Sequence, residues 1–314
     1  MTRRDLLLAA TAALLQIVGG CRSRAPTGAA PDLGPFPPQQ LPGRYKVAPD
    51  LPSLNAVEDG LYHFTHHQAA AYCLWREILL GRLPRRGSVL INLDCHIDAW
   101  LPIGAPNPAD RQPAADLLDD AAAPAPERLR GLARFLDEHL DYASWLTPII
   151  ESGIISEWYY VVPHRLSLAQ ARAQSVVKRW QRRWRSAAGL PEGLTPPQAP
   201  QGFVGRVVRL EDLPPAGHFR GRPVILSLDL DYYSNRRKTF EFETRPQGPS
   251  TPQEIMAEIS ATAGAFAARR LTEPALVLTS DSPQWVPQDQ IGWIRTRLLS
   301  ALRERTIAPR PWPG

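Results

Sequence analysis

A chain of 314 residues with 44% hydrophobic side chains can bury one large α/β core or two ordinary ones, which excludes disorder along its whole length. Its 36 basic residues exceed the 31 acidic ones for a net charge of +5, with lysine only at Lys46, Lys178 and Lys238. The excess is thus an arginine bias, read as compositional rather than as a sign of a nucleic-acid partner. The 33 prolines imply stiff connecting segments, three cysteines are too few for a disulfide framework, and collagen-like, coiled-coil and polytopic membrane classes are excluded.

In chain order, Arg3 and Arg4 precede an apolar run from Leu6 to Val18, followed by Gly19-Gly20-Cys21. This is the layout of a signal peptide, too short for a comfortable spanning helix. Small residues directly before Cys21 resemble the lipobox of bacterial lipoproteins, which implies cleavage after residue 20 and lipidation of Cys21. The Thr2-Arg3-Arg4 start resembles a twin-arginine signal, which implies export of a folded protein. Residues 22–56 are Pro-rich and lack periodicity, so they read as a tether. The expected location is outside the cytoplasm, in the periplasm or at the cell exterior, with a lipid anchor to the membrane and a folded domain over 57–314.

The domain reads as alternating segments. Helix-like spacing runs from Tyr62 to Leu80, and Ser88 to Leu93 is a short apolar strand. The Pro/Ala/Asp-rich stretch from Gly104 to Pro126 reads as an exposed insertion. Helices follow over Arg128 to Leu140 and Ala143 to Gly153, then a strand over Glu157 to Val162. Ser167 is an N-cap for a long helix reaching Ala188. In that helix Lys178, Arg179, Arg182, Arg183 and Arg185 alternate with Trp180 and Trp184, which reads as a solvated face with aromatics turned inward. Strands are expected over Gly205 to Leu210, Pro223 to Asp229 and Ala275 to Thr279, and helices over Thr251 to Leu271 and Gln288 to Arg305. Nearly all-apolar strands alternating with helices predict a three-layer α/β/α fold with a mainly parallel central sheet.

Ligands of such folds bind beyond the carboxyl ends of the strands. Two strand ends carry metal-capable side chains at every second position: Asp94, His96 and Asp98, and then Asp229 and Asp231. If extended geometry persists, each set projects to one side. Clustered buried carboxylates cost several kcal/mol each without counter-charge, so one or two divalent cations are expected. His63, His66 and His67 lie just upstream of the first strand, and position does not choose among them as a further ligand. A carboxylate and imidazole set suits Mn, Zn or Fe rather than Ca. Cys95 falls on the far side of its ligand run and reads as a packed residue.

The pairing of Asp94-x-His96-x-Asp98 with Ser227-x-Asp229-x-Asp231 resembles the signature of the arginase and histone-deacetylase-like superfamily. The chain is still more similar to the uncharacterised protein family 0489. The matching landmarks are His66-His67, the Asp94 run with Pro102, Asp229 to Ser234, Trp145 to Gly153, Trp158 to Pro163 and Ser282-Pro283, spanning about residues 57 to 306. This resemblance implies an arginase/deacetylase-like fold, Asp94 and Asp229 as bridging ligands, and His66, His96, Asp98 and Asp231 completing the metal set. Thr65 replaces the Asp that precedes the first ligand histidine in arginases, and Ser234-Asn235-Arg236 replaces their Asp-Pro. Asp281 is an offset counterpart of their guanidinium-binding carboxylate. The cage carries over and the arginase substrate pocket does not.

The implied activity is hydrolysis of a carbon–nitrogen bond in an amide, amidine or N-acetyl group of a small-molecule or cell-envelope substrate. His67 or His164 is the expected proton donor, with Asp281 as a further catalytic candidate. The alternative is a lipoprotein on the same fold that binds a metal or ligand without catalysis. No nucleic-acid partner is expected, and nothing in the sequence sets an oligomeric state.

Overall fold

The computed structural model describes residues 54–100, 102, 105, 107–174, 200–235, 249–310 and 312. The signal, Cys21, almost all of the tether and the basic stretch after Gln174 lie outside the described residues. The first described strand, β1 (Leu54–Glu58), begins inside the segment assigned to the tether.

The other strands are β2 (Leu61–Phe64), β3 (Ser88–Leu93), β4 (Ile155–Val161), β5 (Val204–Val208), β6 (Val224–Asp229) and β7 (Leu276–Ser280). They form one sheet in the order β1-β2-β7-β6-β3-β4-β5. Every pairing from β2 to β5 is parallel, and β1 joins the edge antiparallel. Helices α1 (Ala69–Leu79), α2 (Pro108–Asp119), α3 (Ala125–His139) and α4 (Leu146–Glu151) supply the core on one face, which also takes in Ala171 of α5 (Leu168–Gln174). Helices α6 (Pro252–Ala268) and α7 (Gln288–Glu304) supply the core on the other. The expected three-layer α/β/α architecture with a mainly parallel sheet is what the chain adopts.

Strand alternation divides the two cores. Leu90, Trp158, Tyr160, Ile225 and Leu278 join the α1–α4 side, while Val89, Ile91, Tyr159, Leu226 and Val277 join the α6–α7 side. Because both faces are covered, the strands read in sequence as nearly all-apolar runs. That is why the helix expected from Tyr62 in fact begins only at Ala69. Its first residues form β2, buried at every position and held between β1 and β7.

The expected insertion at 104–126 is likewise corrected. It holds α2, which packs on α3 and buries Ala114, Leu118 and the Arg111 guanidinium. Arg111 pairs with Glu151 at 2.5 and 2.7 Å and donates to Ala105 O at 2.7 Å. Its Pro and Asp content conceals a short apolar stripe at helical spacing. Cys73 and Cys95 are both buried and unpaired.

The connection after β3 runs to β4 on one side of the sheet, and that after β6 runs to β7 on the other, while β3 and β6 are neighbours. Their carboxyl ends therefore flank a topological switch point, where the two connections part and leave a crevice.

Candidate metal centre

Every carboxylate singled out from the two strand-end runs lies at this crevice. Asp94, Asp98, Asp229 and Asp231 are at most 2% exposed, as is His67, and the His96 side chain is 12% exposed. The runs do not stay extended as the alternation rule supposes. Asp94 Oδ1 accepts the His96 N–H at 2.7 Å, and Asp229 Oδ1 accepts the Asp231 N–H at 2.9 Å. Each Asp thus turns its own chain two residues on and leaves its other oxygen facing the crevice. Asp98 adopts φ +55°, and Asp231 lies in a short 3₁₀ turn, Leu230–Tyr232. Convergence comes from these turns.

His67 Nδ1 lies 2.6 Å from Asp98, 3.1 Å from Asp229 and 3.2 Å from Asp94. His96 Nδ1 lies 2.6 Å from Asp231. These contacts form two adjoining groups that share Asp94, His67/Asp94/Asp98 and Asp94/His96/Asp231, and each can hold a metal ion. A single ring N–H points in one direction, yet three carboxylate oxygens surround His67 Nδ1, and that atom makes no hydrogen bond of proper geometry. Asp231 Oδ2, 2.6 Å from His96 Nδ1, likewise makes no hydrogen bond of proper geometry. Donor atoms that converge without bonding one another are arranged as ligands about a shared cation, so the residues fit a divalent ion.

Neighbouring side chains fix the donors. His67 Nε2 lies 2.8 Å from Ser227 Oγ, Trp145 Nε1 donates to Asp98 at 2.8 Å, Asn92 donates to Asp94 at 3.3 Å, and Ser282 Oγ donates to Asp229 Oδ2 at 2.5 Å. The Cys95 N–H donates to Asp231 at 3.1 Å. Such partners set ligand orientation and basicity. The Trp145 ring packs on His67 and the Trp285 ring on His96, with centroids 5.1 and 4.3 Å apart.

The electrostatics show what the cluster lacks. Burial, and then the neighbouring Asp94, raises Asp98 to about 7. Burial and Asp231 raise Asp229 to about 6 and also push Asp94 up. Burial would lower both imidazoles, but the carboxylates around them carry His67 and His96 well above the ordinary range. Burial would raise Asp231 as well; His96 and the Cys95 N–H hold it below the carboxylate norm. The same burial and crowded negative charge that favour protons here would favour a divalent cation.

The remaining candidates are placed as follows. His67, expected as a proton donor, faces the carboxylates and belongs to a group that can hold a metal ion, while His66, expected as a ligand, does not. His66 is buried and lowered to about 4 chiefly by burial, which outweighs the opposing influence of Gln284. His164 is 61% exposed and pairs with Glu211 at 3.2 Å. Asp281 follows β7 on the α6–α7 side, 3.1 Å from both His63 and Arg295. Cys95 is buried, with its thiol pushed up by burial and donating to Asp231 O at 3.1 Å. Trp145, Ser282 and Trp285 were not read as site residues. Only a contact between segments distant in the chain reveals them, and Trp145 and Ser282 carried no signal beyond the resemblance.

Fold and cluster together define the class: an α/β protein whose buried His/Asp cluster can hold a metal ion. No family model matches the chain, and no curated protein matches it.

Proposed function

We propose that the protein is a metal-dependent hydrolase of a carbon–nitrogen bond in an amide, amidine or N-acetyl group, similar to the arginase and deacetylase-like superfamily and to family 0489. The observation that carries this reading is the sharing of Asp94 between two buried ligand groups at the sheet's switch point. His67, Asp94, Asp98 and Asp229 would hold one divalent ion, and Asp94, His96 and Asp231 a second, with Mn, Zn or Fe suited to the donors. A bound ion of this kind supplies a Lewis acid and lowers the pKa of water toward neutrality. Ser227 and Trp145 orient His67 and Asp98, and the Trp145 and Trp285 rings shield both imidazoles from solvent.

A specific observation favours a second reading, a metal- or ligand-binding protein without catalysis. The three side chains given acid–base or substrate roles are otherwise engaged: His67 among the carboxylates, His164 with Glu211 at the surface, and Asp281 with Arg295.

Metal-free protein reloaded with Mn, Zn or Fe and screened on N-acetylated sugars, acetylated polyamines and guanidino compounds separates the readings. Metal-dependent turnover that disappears in Asp94→Asn supports the hydrolase. Stoichiometric metal without turnover selects the metal binder, and absence of bound metal sinks both the hydrolase and the metal-binding readings.

The proposal extends to location: export, lipidation at Cys21, and a tether holding the membrane-anchored domain facing the periplasm or the cell exterior, near an envelope or small-molecule substrate. Cys21→Ser should then move the protein from the membrane fraction to the soluble fraction. Among the described residues no helix is long and apolar enough to cross a membrane.

A further inference from the structure

We propose that Ser282 is a positioning residue of the metal centre, holding the Asp229 carboxylate in its ligating orientation. The inference rests on the metal-binding reading above and adds a residue outside its ligand set. Ser282 adopts φ +44°, a left-handed conformation that an L side chain other than Asn or Asp rarely takes. It is 1% exposed, and its hydroxyl lies 2.5 Å from Asp229 Oδ2 and 3.0 Å from Ser280 Oγ. Asp229 Oδ2 is the oxygen that faces His67 Nδ1 at 3.1 Å, while Oδ1 is occupied by the Asp231 N–H. The Ser282 bond therefore acts on the oxygen available for a metal.

The backbone that carries this hydroxyl is fixed from several directions. Asp281 N donates to Phe64 O and Ser282 N to Thr65 O, each at 3.0 Å, which ties the segment to the end of β2. Ser282 O accepts from Trp285 N at 2.9 Å and Val286 N at 3.0 Å. The same turn thereby brings the Trp285 ring onto His96, so one segment touches both ligand groups. On the opposite face of the sheet, Asp281 is held by Arg295 of α7 at 3.1 and 3.3 Å, and by His63 at 3.1 Å. A disfavoured backbone conformation that is pinned on both faces, with its side chain on a cluster carboxylate, is a device for placing that carboxylate.

The test uses the full chain, stripped of metal and titrated with Co(II) and Zn(II). Visible absorption of the Co(II) form reads coordination geometry, and thermal unfolding of the metal-free form reads folding. Ser282→Gly relaxes the left-handed backbone and removes the hydroxyl, while Ser282→Ala removes the hydroxyl alone. Both variants should lose about 10- to 100-fold in metal affinity and shift the Co(II) spectrum, with metal-free Ser282→Gly unfolding no lower than the unaltered protein. A Ser282→Gly variant with unaltered affinity and spectrum overturns the positioning role and leaves the metal reading standing. An unaltered protein that binds neither ion overturns both.

Discussion

Two buried His–Asp groups lie at the carboxyl edge of the same sheet, and they differ in one respect that decides their chemistry. On the α6–α7 side, His63 and Asp281 meet Arg295, and Thr279 Oγ1 lies 3.2 Å from His63 Nδ1 and donates to Tyr62 O at 3.0 Å. The carboxylate charge there is matched by a guanidinium from the protein itself. On the α1–α4 side, carboxylates outnumber imidazoles, and donor atoms converge without bonding one another. No Arg or Lys contact to the crevice-facing oxygens is found among the described residues. Arg165 reaches the backbone carbonyls of Asp231 and Tyr232 and the Cys95 thiol, and its charge is among the smaller causes that hold Asp231 down. Residue types alone do not separate a structural ion pair from a metal centre. The balance of charge inside the buried volume does.

The comparison breaks most sharply under single substitutions. Asp94→Asn removes the carboxylate shared by both groups. Metal affinity should fall by more than the ~100-fold that changes around a ligand produce, while the metal-free protein unfolds at an unchanged or higher temperature because one repelling charge is gone. Metal analysis and thermal unfolding together check this, and retention of full metal content would refute the ligand assignment.

Arg295→Ala should do the reverse. It strips the cation from the buried Asp281 and costs about 1–3 kcal/mol in urea unfolding, with a smaller loss of metal affinity than Ser282→Ala. Pairing it with Asp281→Ala should recover part of the stability, since removing both partners leaves no uncompensated charge.

A smaller effect is expected from pH. In the metal-free fold Asp98 and Asp229 hold protons up to about 7 and 6, against an ordinary 3.8. Over that window the native state binds more protons than the unfolded chain, so this contribution to stability is present at acid pH and is lost as pH rises through 6 to 7. The raised imidazoles act in the same direction, losing their contribution as pH rises. Added metal displaces these protons, so its affinity should climb over the same range. A series of unfolding temperatures from pH 5 to 8 with and without metal, repeated on Asp98→Asn, checks the sign; a slope unchanged by that substitution would remove Asp98 as its source. The smallest effect should come from His164→Ala. Its exposed pair with Glu211 is worth no more than about 1 kcal/mol, and metal content should be unchanged by elemental analysis.

Much of this is legible in the amino-acid sequence. Apolar runs such as Val89 to Leu93 and Ile225 to Leu228 state that their strands are covered on both faces, which calls for a parallel sheet between helical layers. Aspartates at every second position after two such runs, in a fold that binds ligands at strand ends, located the cluster. Where the reading failed, a short buried strand and a short helix looked alike: β2 was taken into α1, and α2 was hidden by its Pro and Asp content.

The sequence by itself thus determined the layers, the acidic strand ends and the residue types of the site, because periodicity and strand termini are local properties. Only the tertiary structure decided that His67 rather than His66 turns to the carboxylates, that Asp281 belongs to Arg295, and that Ser282 and Trp145 reach the cluster. Adjacent residues in a turn point in different directions according to how the turn packs. A carboxylate's partner is likewise whichever charge the fold brings within a few ångströms, wherever that charge lies along the chain.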